Sequence, residues 1–463
     1  MSSRWLVAPL ATLLLAACGS STDTQDTQDT ERTPFASTYQ PLPSKTTLIE
    51  NATVLTGTGE RIDGGSVLLR DGRIADIGTR VSAPRDAVRI DAEGRWVTPG
   101  LIDAHSHLGV YPSPSVGPHF DGNEITGNNT AGVWAEHAVW PQDPGFDTAL
   151  AGGVTSMLIL PGSANLFGGR GVTLKNVPAV TYQAMKFPEA PHALKMACGE
   201  NPKRVYGPGR QTPYTRMGNV YGYRSAWIEA EAYRQEWDDW LALGEEADPA
   251  DKPQRDLKLE TLAGVLRGDI LVHNHCYRGD EMATMLEIAD EFGYKITAFH
   301  HAVEAYKIAD LLAEREVCAA LWADWWGFKM EAFDGIRENI AMVDAPAKGC
   351  AIVHSDDEYG IQRLNQEAAK AMAAGNRAGL DIAPEQAIRW VTANPAKALG
   401  ILDRTGTLEA GKMADVVIWS GDPFSVYTLA DQVFIDGARV YDRHDPSRQP
   451  QRDFKLGILE VNS

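Results

Sequence analysis

Residues 97–107 read Val97-Thr98-Pro99-Gly100-Leu101-Ile102-Asp103-Ala104-His105-Ser106-His107. The apolar run predicts a buried strand over Gly100–Ala104, and the polar residues begin where that strand ends. Side chains two apart on a strand share a face, so His105 and His107 point the same way. Two imidazoles fixed on one rigid strand suit Zn²⁺ or a similar divalent ion. Alone, the pair is equally consistent with two polar residues closing a strand.

Working outward, the centre of the chain alternates short apolar runs with longer helical patterns, which predicts βα units and a parallel sheet. The strands are expected at Gly100–Ala104, Thr155–Leu160, Val172–Leu174, Ala193–Ala197, Ile270–His273, Lys295–Phe299, Val317–Leu321 and Ala351–His354. Helices are expected at Ile308–Arg315 and Gln362–Ala378, and the Trp/Tyr/Glu-rich residues 214–250 read as an insertion, a helical lid or an oligomer contact. Eight strands on this length fit an α/β fold of the (β/α)8 TIM-barrel type, with a doubly wound sheet as the rival by periodicity alone. Residues 46–98 and 404–445 carry short strands and hairpin turns instead, for example Ser66-Val67-Leu68-Leu69 before Asp71-Gly72-Arg73. These flanks are expected to form one small composite β-sandwich around a barrel at 99–403, with a tail at 446–463.

Histidines concentrate where barrel chemistry is expected, at the C-terminal ends of strands. His105, His107, His273, His275, His300 and His301, six of the eleven in the chain, stand at three strand ends. Val353-His354-Ser355-Asp356 closes the last strand. On these residues, and on Pro99 to His107, Ala151-Gly152-Gly153-Val154-Thr155, Thr392-Ala393-Asn394-Pro395-Ala396 and Gly411-Lys412-Met413-Ala414-Asp415-Val416, the chain resembles the amidohydrolase superfamily. The likeness is to its imidazolonepropionase-like and dipeptidase-like branches, from about Thr46 to Arg443.

The resemblance implies that His105 and His107 ligate a metal, joined by His275, His301 and Asp356 from the fifth, sixth and eighth strands. His273 and His300 are read as packed or supporting histidines. Binuclear relatives bridge their metals with a carboxylated lysine or a glutamate, so Lys195 and Glu200 are the bridge candidates, with Lys175 a weaker third. A bridged binuclear site is favoured over a mononuclear one. Asp356 is then the general acid/base, and His301 or a second metal the oxyanion stabiliser, in metal-assisted hydrolysis of an amide or peptide-like C–N bond. Arg170, Arg204, Tyr277 and Arg278 are the substrate-binding candidates, with Tyr111, His119 and Trp325 also in predicted loops. Arg170, in the loop Phe167-Gly168-Gly169-Arg170-Gly171, is poised equally between a carboxylate clamp and a surface arginine. Arginine clamps suit a dipeptide or N-acyl amino acid better than a nucleobase. A deaminase or imidazolone-type cyclic-amide hydrolase is the alternative. A non-catalytic binding lipoprotein would be expected to have lost ligands, and none is missing.

At the N-terminus, Arg4, the apolar run Trp5–Ala17 and Leu15-Ala16-Ala17-Cys18-Gly19 resemble a bacterial lipoprotein signal at 1–17 that leaves Cys18 as the lipidated residue. Residues 18–45 read as a tether, Thr/Asp/Gln-rich over Ser20–Thr33. With no aspartate after Cys18, the expected place is the outer membrane facing the periplasm. A net charge of −19 argues against a nucleic-acid partner, and a homo-oligomer fits a barrel with a large insertion. The cysteines Cys198, Cys276, Cys318 and Cys350 lie in apolar runs without CxxC spacing and are expected as buried free thiols. Pairing of strand neighbours, Cys198 with Cys276 and Cys318 with Cys350, is the exception considered.

Overall fold

The computed structural model of the chain describes residues 35–450 except Pro114 and Trp326. The expected signal 1–17, Cys18, most of the tether and most of the C-terminal tail lie outside the described residues. No helix among those described is long and apolar enough to cross a membrane.

The two flanks meet in one sheet. From the N-terminal side come β1 (Thr47–Leu55), β2 (Arg61–Arg70), β3 (Arg73–Gly78), β4 (Val88–Asp91) and β5 (Trp96–Pro99). Next in the chain are the central strands β6 (Leu101–Ser106), β7 (Val154–Ile159), β8 (Phe167–Lys175), β9 (Ala193–Ala197), β10 (Leu271–Cys276), β11 (Ala298–His301), β12 (Cys318–Leu321) and β13 (Ala351–Val353). The C-terminal side adds β14 (Val416–Trp419), β15 (Ala430–Ile435) and β16 (Ala438–Asp442). The flanking strands pair in the order β16-β15-β14-β5-β1-β2-β3, with β4 also on β1. β14 and β5 are the seam between the two ends of the chain, joined antiparallel from Val416 opposite Pro99. The two flanks therefore share a single eight-stranded mixed sheet, where the two packed layers of a sandwich were expected.

The eight central strands form a second sheet in sequence order, each near its expected place. They are almost wholly buried, which is why they read as continuous apolar runs without alternation. Its two outer strands approach each other: the backbone N–H of Asp356, just past β13, donates to the carbonyl of His105 on β6 at 3.1 Å. Gly100 opens β6 because nothing larger fits, since a Cβ there would fall 2.1 Å from Thr155 Oγ1 on the neighbouring strand.

Three further expectations are corrected. β8 runs antiparallel to both β7 and β9, where a parallel strand was expected. Residues 160–166 between β7 and β8 hold no helix, and a short link can only turn the chain back on itself. Phe167–Gly171 is consequently strand and not a loop. The cysteines are not free thiols: Cys198–Cys276 and Cys318–Cys350 form disulfides, with Cα atoms 5.1 and 4.6 Å apart. Register explains this, because the N–H of Cys198 bonds the carbonyl of His275 and so places Cys198 beside Cys276.

Among the helices are α1 (Pro144–Ala151), α2 (Glu200–Tyr206), α3 (Arg216–Ala242), α4 (Leu257–Arg267) and α5 (Gly279–Phe292). α3 is the bulk of the 214–250 insertion. It buries Tyr223, Ala226, Trp227, Ala230 and Tyr233 at helical spacing, the pattern of a helix packed on one face. Its Asn219 Nδ2 donates to the Gly199 carbonyl at 3.0 Å, and Tyr223 Oη donates to the carbonyl of Ala197. These bonds make α3 a buttress for the end of β9. Further on, helices at Ala309–Glu314 and Leu364–Arg377 stand where the sequence placed them.

Candidate metal centre

The C-terminal strand ends converge on one cluster. His105 and His107 come from the end of β6, Lys195 from β9, and His273 and His275 from β10. His300 and His301 close β11, and His354 and Asp356 follow β13. His301 (φ 68°) and Asp356 (φ 54°) adopt left-handed backbone conformations. For non-glycine residues these cost of order 1–3 kcal/mol each and persist where surrounding structure enforces them.

His107 Nδ1 lies 2.8 Å from the carbonyl of Leu160 and donates there, which leaves Nε2 to hold a metal or, without one, a proton shared with Asp356. That Nε2 faces Asp356 Oδ1 at 3.2 Å and His105 Nε2 at 3.3 Å. Asp356 Oδ1 is also 3.2 Å from His105 Nε2, and Asp356 Oδ2 is 3.8 Å from His301 Nδ1. Burial works against ionisation of Asp356, yet the hydrogen bond and charge of His107, with His354 and Lys195, bring its pKa below the usual carboxylate range. A carboxylate held among imidazole nitrogens is a setting for a cation.

The other nitrogens carry the same message. Both ring nitrogens of His275, both of His354 and Nδ1 of His301 are buried without a hydrogen-bond partner among the described residues. Orphaned buried polar atoms are costly and rare, and their gathering in one place marks a ligand. Two sets have donor atoms within 4.8 Å of one another: His105, His301 and His354, and His105, His107 and Asp356. Burial drives the pKa values of His105, His275 and His301 well below the usual imidazole range, the neutral state a metal ligand requires. An all-nitrogen and carboxylate donor set suits a divalent ion of the zinc class.

Lys195 is fully buried with its Nζ 3.3 Å from His105 Nε2, and desolvation lowers its pKa to about 7. Glu200 is elsewhere: its N–H donates to Glu331 Oε2 at 2.9 Å, and its carboxylate lies 3.7 Å from Lys329. Lys175 is buried at the opposite end of the sheet, 2.7 Å from Asp436 and 3.2 Å from Asp415. Only Lys195 of the three bridge candidates is brought to the histidines.

A cleft of about 510 Å³ opens over the cluster, lined by His107, Tyr111, Arg204, His275, Tyr277, His301 and Asp356 among others. Arg204 and Tyr277 thus reach the cleft. Arg170 does not: its guanidinium lies 4.4 Å over the Trp134 ring and its Nε donates to Thr261 Oγ1 at 2.7 Å. Being on β8, it is half-buried against these neighbours, and the clamp reading is withdrawn. Arg278 turns to Asp280 at 2.7 Å on a different surface and is withdrawn with it. His119 stands against Trp140, and Trp325 stacks on Trp322.

Several residues at the site carry no earlier assignment. His354 was visible only as one more histidine after a strand. Trp322, directly after β12, stacks on His301 at 4.3 Å between ring centres. Asp103, fully buried, accepts from the backbone N–H of His105 at 3.0 Å and from Ser355 Oγ, tying β6 to the turn that carries Asp356. An acid inside a β-strand, two residues before the histidine pair, was its available signal.

The amidohydrolase family model matches residues 354–443. An amidohydrolase of Thermotoga maritima MSB8, solved by crystallography, is 36% identical with a TM-score of 0.77, over 86% of this chain and 100% of that one. Amidohydrolase tasK of Hapsidospora irregularis is 34% identical over 433 residues, which is 86% of this chain and 43% of that relative, so this chain spans under half of its length. Imidazolonepropionase of Mesorhizobium japonicum is 24% identical across 77% of this chain and 87% of its own. Convergent strand-end histidines on an eight-stranded α/β sheet, together with a relative matched over its whole length, place the chain in the amidohydrolase family, hydrolases that act on carbon–nitrogen bonds.

Proposed function

We propose that this protein hydrolyses an amide or peptide-like C–N bond in a substrate bearing a carboxylate, such as a dipeptide or N-acyl amino acid. The observation that carries the reading is the set of buried imidazole nitrogens, without partners among the described residues, around an ionised Asp356. His105, His107, His275, His301 and Asp356 are the proposed ligands of one or two divalent ions, zinc being the first choice, and His354 is a further donor within reach. When bound, such ions polarise a scissile carbonyl and make water acidic enough to attack near neutral pH.

The remaining chemistry belongs to the chain. Asp356 stands beside His105, His107 and His301 and opens onto the cleft, so it can take a proton from the attacking water and return it to the leaving nitrogen. Lys195, with its pKa near 7, is partly the free amine at neutral pH. A free amine adds to carbon dioxide, forming an N–C bond and releasing a proton, which exchanges a buried cation for a carbamate anion among the donors. That modified Lys195 is the proposed bridge. Trp322 holds the His301 ring from behind by stacking. Arg204 is exposed on the cleft wall and is proposed to bind the substrate carboxylate. The eight strands are proposed to work as a (β/α)8-type barrel with one reversed strand, and the flanking sheet as its small composite domain.

A second reading, a cyclic-amide hydrolase, draws support from the likeness to imidazolonepropionase. A panel of dipeptides, N-acyl amino acids and cyclic amides, assayed with parallel metal analysis, separates the two. Metal-dependent turnover of the first two classes with two ions per chain is expected. Turnover of cyclic amides alone, with one ion per chain, would reverse the preference.

A further inference from the structure

Behind the cleft, His105 is joined to two histidines that the proposed chemistry does not use. His105 Nδ1 is 2.8 Å from His300 Nδ1, and His300 Nε2 is 2.8 Å from His273 Nδ1. The line ends at the carbonyl of Ala398, 3.1 Å from His273 Nε2. All three rings have zero exposure to solvent. They come from three strands, β6, β11 and β10, and the register that sets His275 opposite His300 aligns them.

The hydrogen positions follow from the far end. A carbonyl only accepts, so His273 Nε2 must carry hydrogen. A neutral His273 then offers Nδ1 as an acceptor, which requires hydrogen on His300 Nε2. A neutral His300 in turn offers Nδ1 as an acceptor, which requires hydrogen on His105 Nδ1. His105 is left with an unprotonated Nε2 directed at His107, Lys195 and Asp356. The opposite order needs an imidazolium at His273. That charge would sit on a ring with no exposure to solvent, which burial opposes. His107 reaches the same tautomer by a single bond to the Leu160 carbonyl.

We propose that His300 and His273 are positioning residues, a relay of N–H bonds anchored on Ala398 that fixes His105 as its Nδ1–H tautomer and presents Nε2 to a metal. Metal-ligating histidines are commonly oriented by a carboxylate or carbonyl on the other nitrogen. Here two imidazoles transmit the carbonyl's demand across the interior. The importance of the tautomer to activity rests on the proposed metal chemistry, whereas the tautomer itself does not.

The test uses the full chain labelled with ¹⁵N-histidine, stripped of metal with a chelator and studied by two-bond ¹H–¹⁵N correlation at pH 7.5. His105 is assigned by loss of its signals in His105→Gln. His105 is expected with hydrogen on Nδ1, and His300 and His273 on Nε2. Hydrogen on Nε2 of His105, or an imidazolium at any of the three, overturns the relay. Zinc affinity by chelator competition is then compared for His273→Leu and His300→Leu, with His300→Gln as the conservative variant and thermal unfolding to check folding. Affinity should fall about 10- to 100-fold in the leucine variants, and His300→Gln should recover part of it. A folded His273→Leu protein with unchanged tautomer and affinity would refute the proposal. Wild-type protein with the expected tautomers but no zinc binding would instead leave the relay standing and remove the proposed function.

Discussion

Two fully buried lysines occupy opposite ends of the same sheet and have opposite surroundings. Lys175, at the end of β8 nearest the flanking sheet, lies 2.7 Å from Asp436 and 3.2 Å from Asp415. Tyr39 donates to Asp436, and Thr405 Oγ1 donates to Asp415 at 2.8 Å. Every charge there is answered within bonding distance. Among the described residues, Lys195 meets the nitrogen of His105 and no carboxylate at ion-pair distance, and the ring nitrogens of His275 and His354 have no hydrogen-bond partner. A buried polar group that is paired holds a fold together. One that is left short is tolerated only if something else completes it.

The sharpest way to break this contrast is at Asp356, the single carboxylate among the described residues within ion-pair distance of His105, His107 and His301. Asp356→Asn should lower kcat roughly 10³-fold, the scale of a lost general acid/base, with metal content largely retained. Activity near wild type, measured on whichever panel substrate is turned over, would remove Asp356 from the chemistry.

Next comes a paired substitution of the two lysines by methionine. Lys175→Met leaves Asp415 and Asp436 buried without their cation and should cost about 3–5 kcal/mol of stability. Urea denaturation should show an earlier midpoint. Lys195→Met removes a poorly accommodated amine, so the metal-free protein should be no less stable. Its loss should appear as a lower metal stoichiometry and, through the missing bridge, a fall in activity of about 100-fold. If both variants lose stability alike, the two ends do not differ as described.

A smaller effect concerns pH. Lys195 has a folded-state pKa of about 7 against the ordinary 10.5. Between these values the unfolded chain binds more protons, so this group makes stability rise with pH across that window. Its contribution is complete above 10.5 and lost as pH falls through 7. Asp103 acts with the other sign: burial raises it from 3.8 to about 7, so its contribution is present below 3.8 and lost as pH rises through 7. Metal-free wild type compared with Lys195→Met between pH 7.5 and 10 should show the steeper rise in wild type. Equal slopes would mean that Lys195 titrates normally.

The same contrast explains what the sequence could and could not disclose. The eight central strands were placed near their positions because each carries a buried apolar run, although the first half of β8 was taken for a loop. The direction of β8 was not readable, because apolar runs carry no polarity; only the short link 160–166 hinted at it. That strand-end histidines and Asp356 would gather was legible from their positions, the choice of His275 and His301 came from the family resemblance, and nothing local distinguished Lys195 from Glu200 or Lys175. Register separates them in space, setting Lys195 opposite His273, while Glu331 and Lys329 engage Glu200. The disulfides were hidden for the same reason, since 78 and 32 residues separate their partners in the chain.

The two arginines give the finest test, because sequence alone weighed them evenly and the fold separates them. Arg204 projects into the cleft, whereas Arg170 is fixed between Trp134 and Thr261. Arg204→Gln should raise KM about tenfold for a carboxylate-bearing substrate, the value of one charge-assisted hydrogen bond of roughly 1.4 kcal/mol, with kcat changed much less. The effect should vanish for the matching substrate amide, which has no carboxylate to lose. Arg170→Gln should leave KM alone and cost about 1 kcal/mol of stability through the lost bond and ring contact. A KM effect confined to Arg170 would return the clamp to β8, and would mean that the strand moves in the presence of substrate.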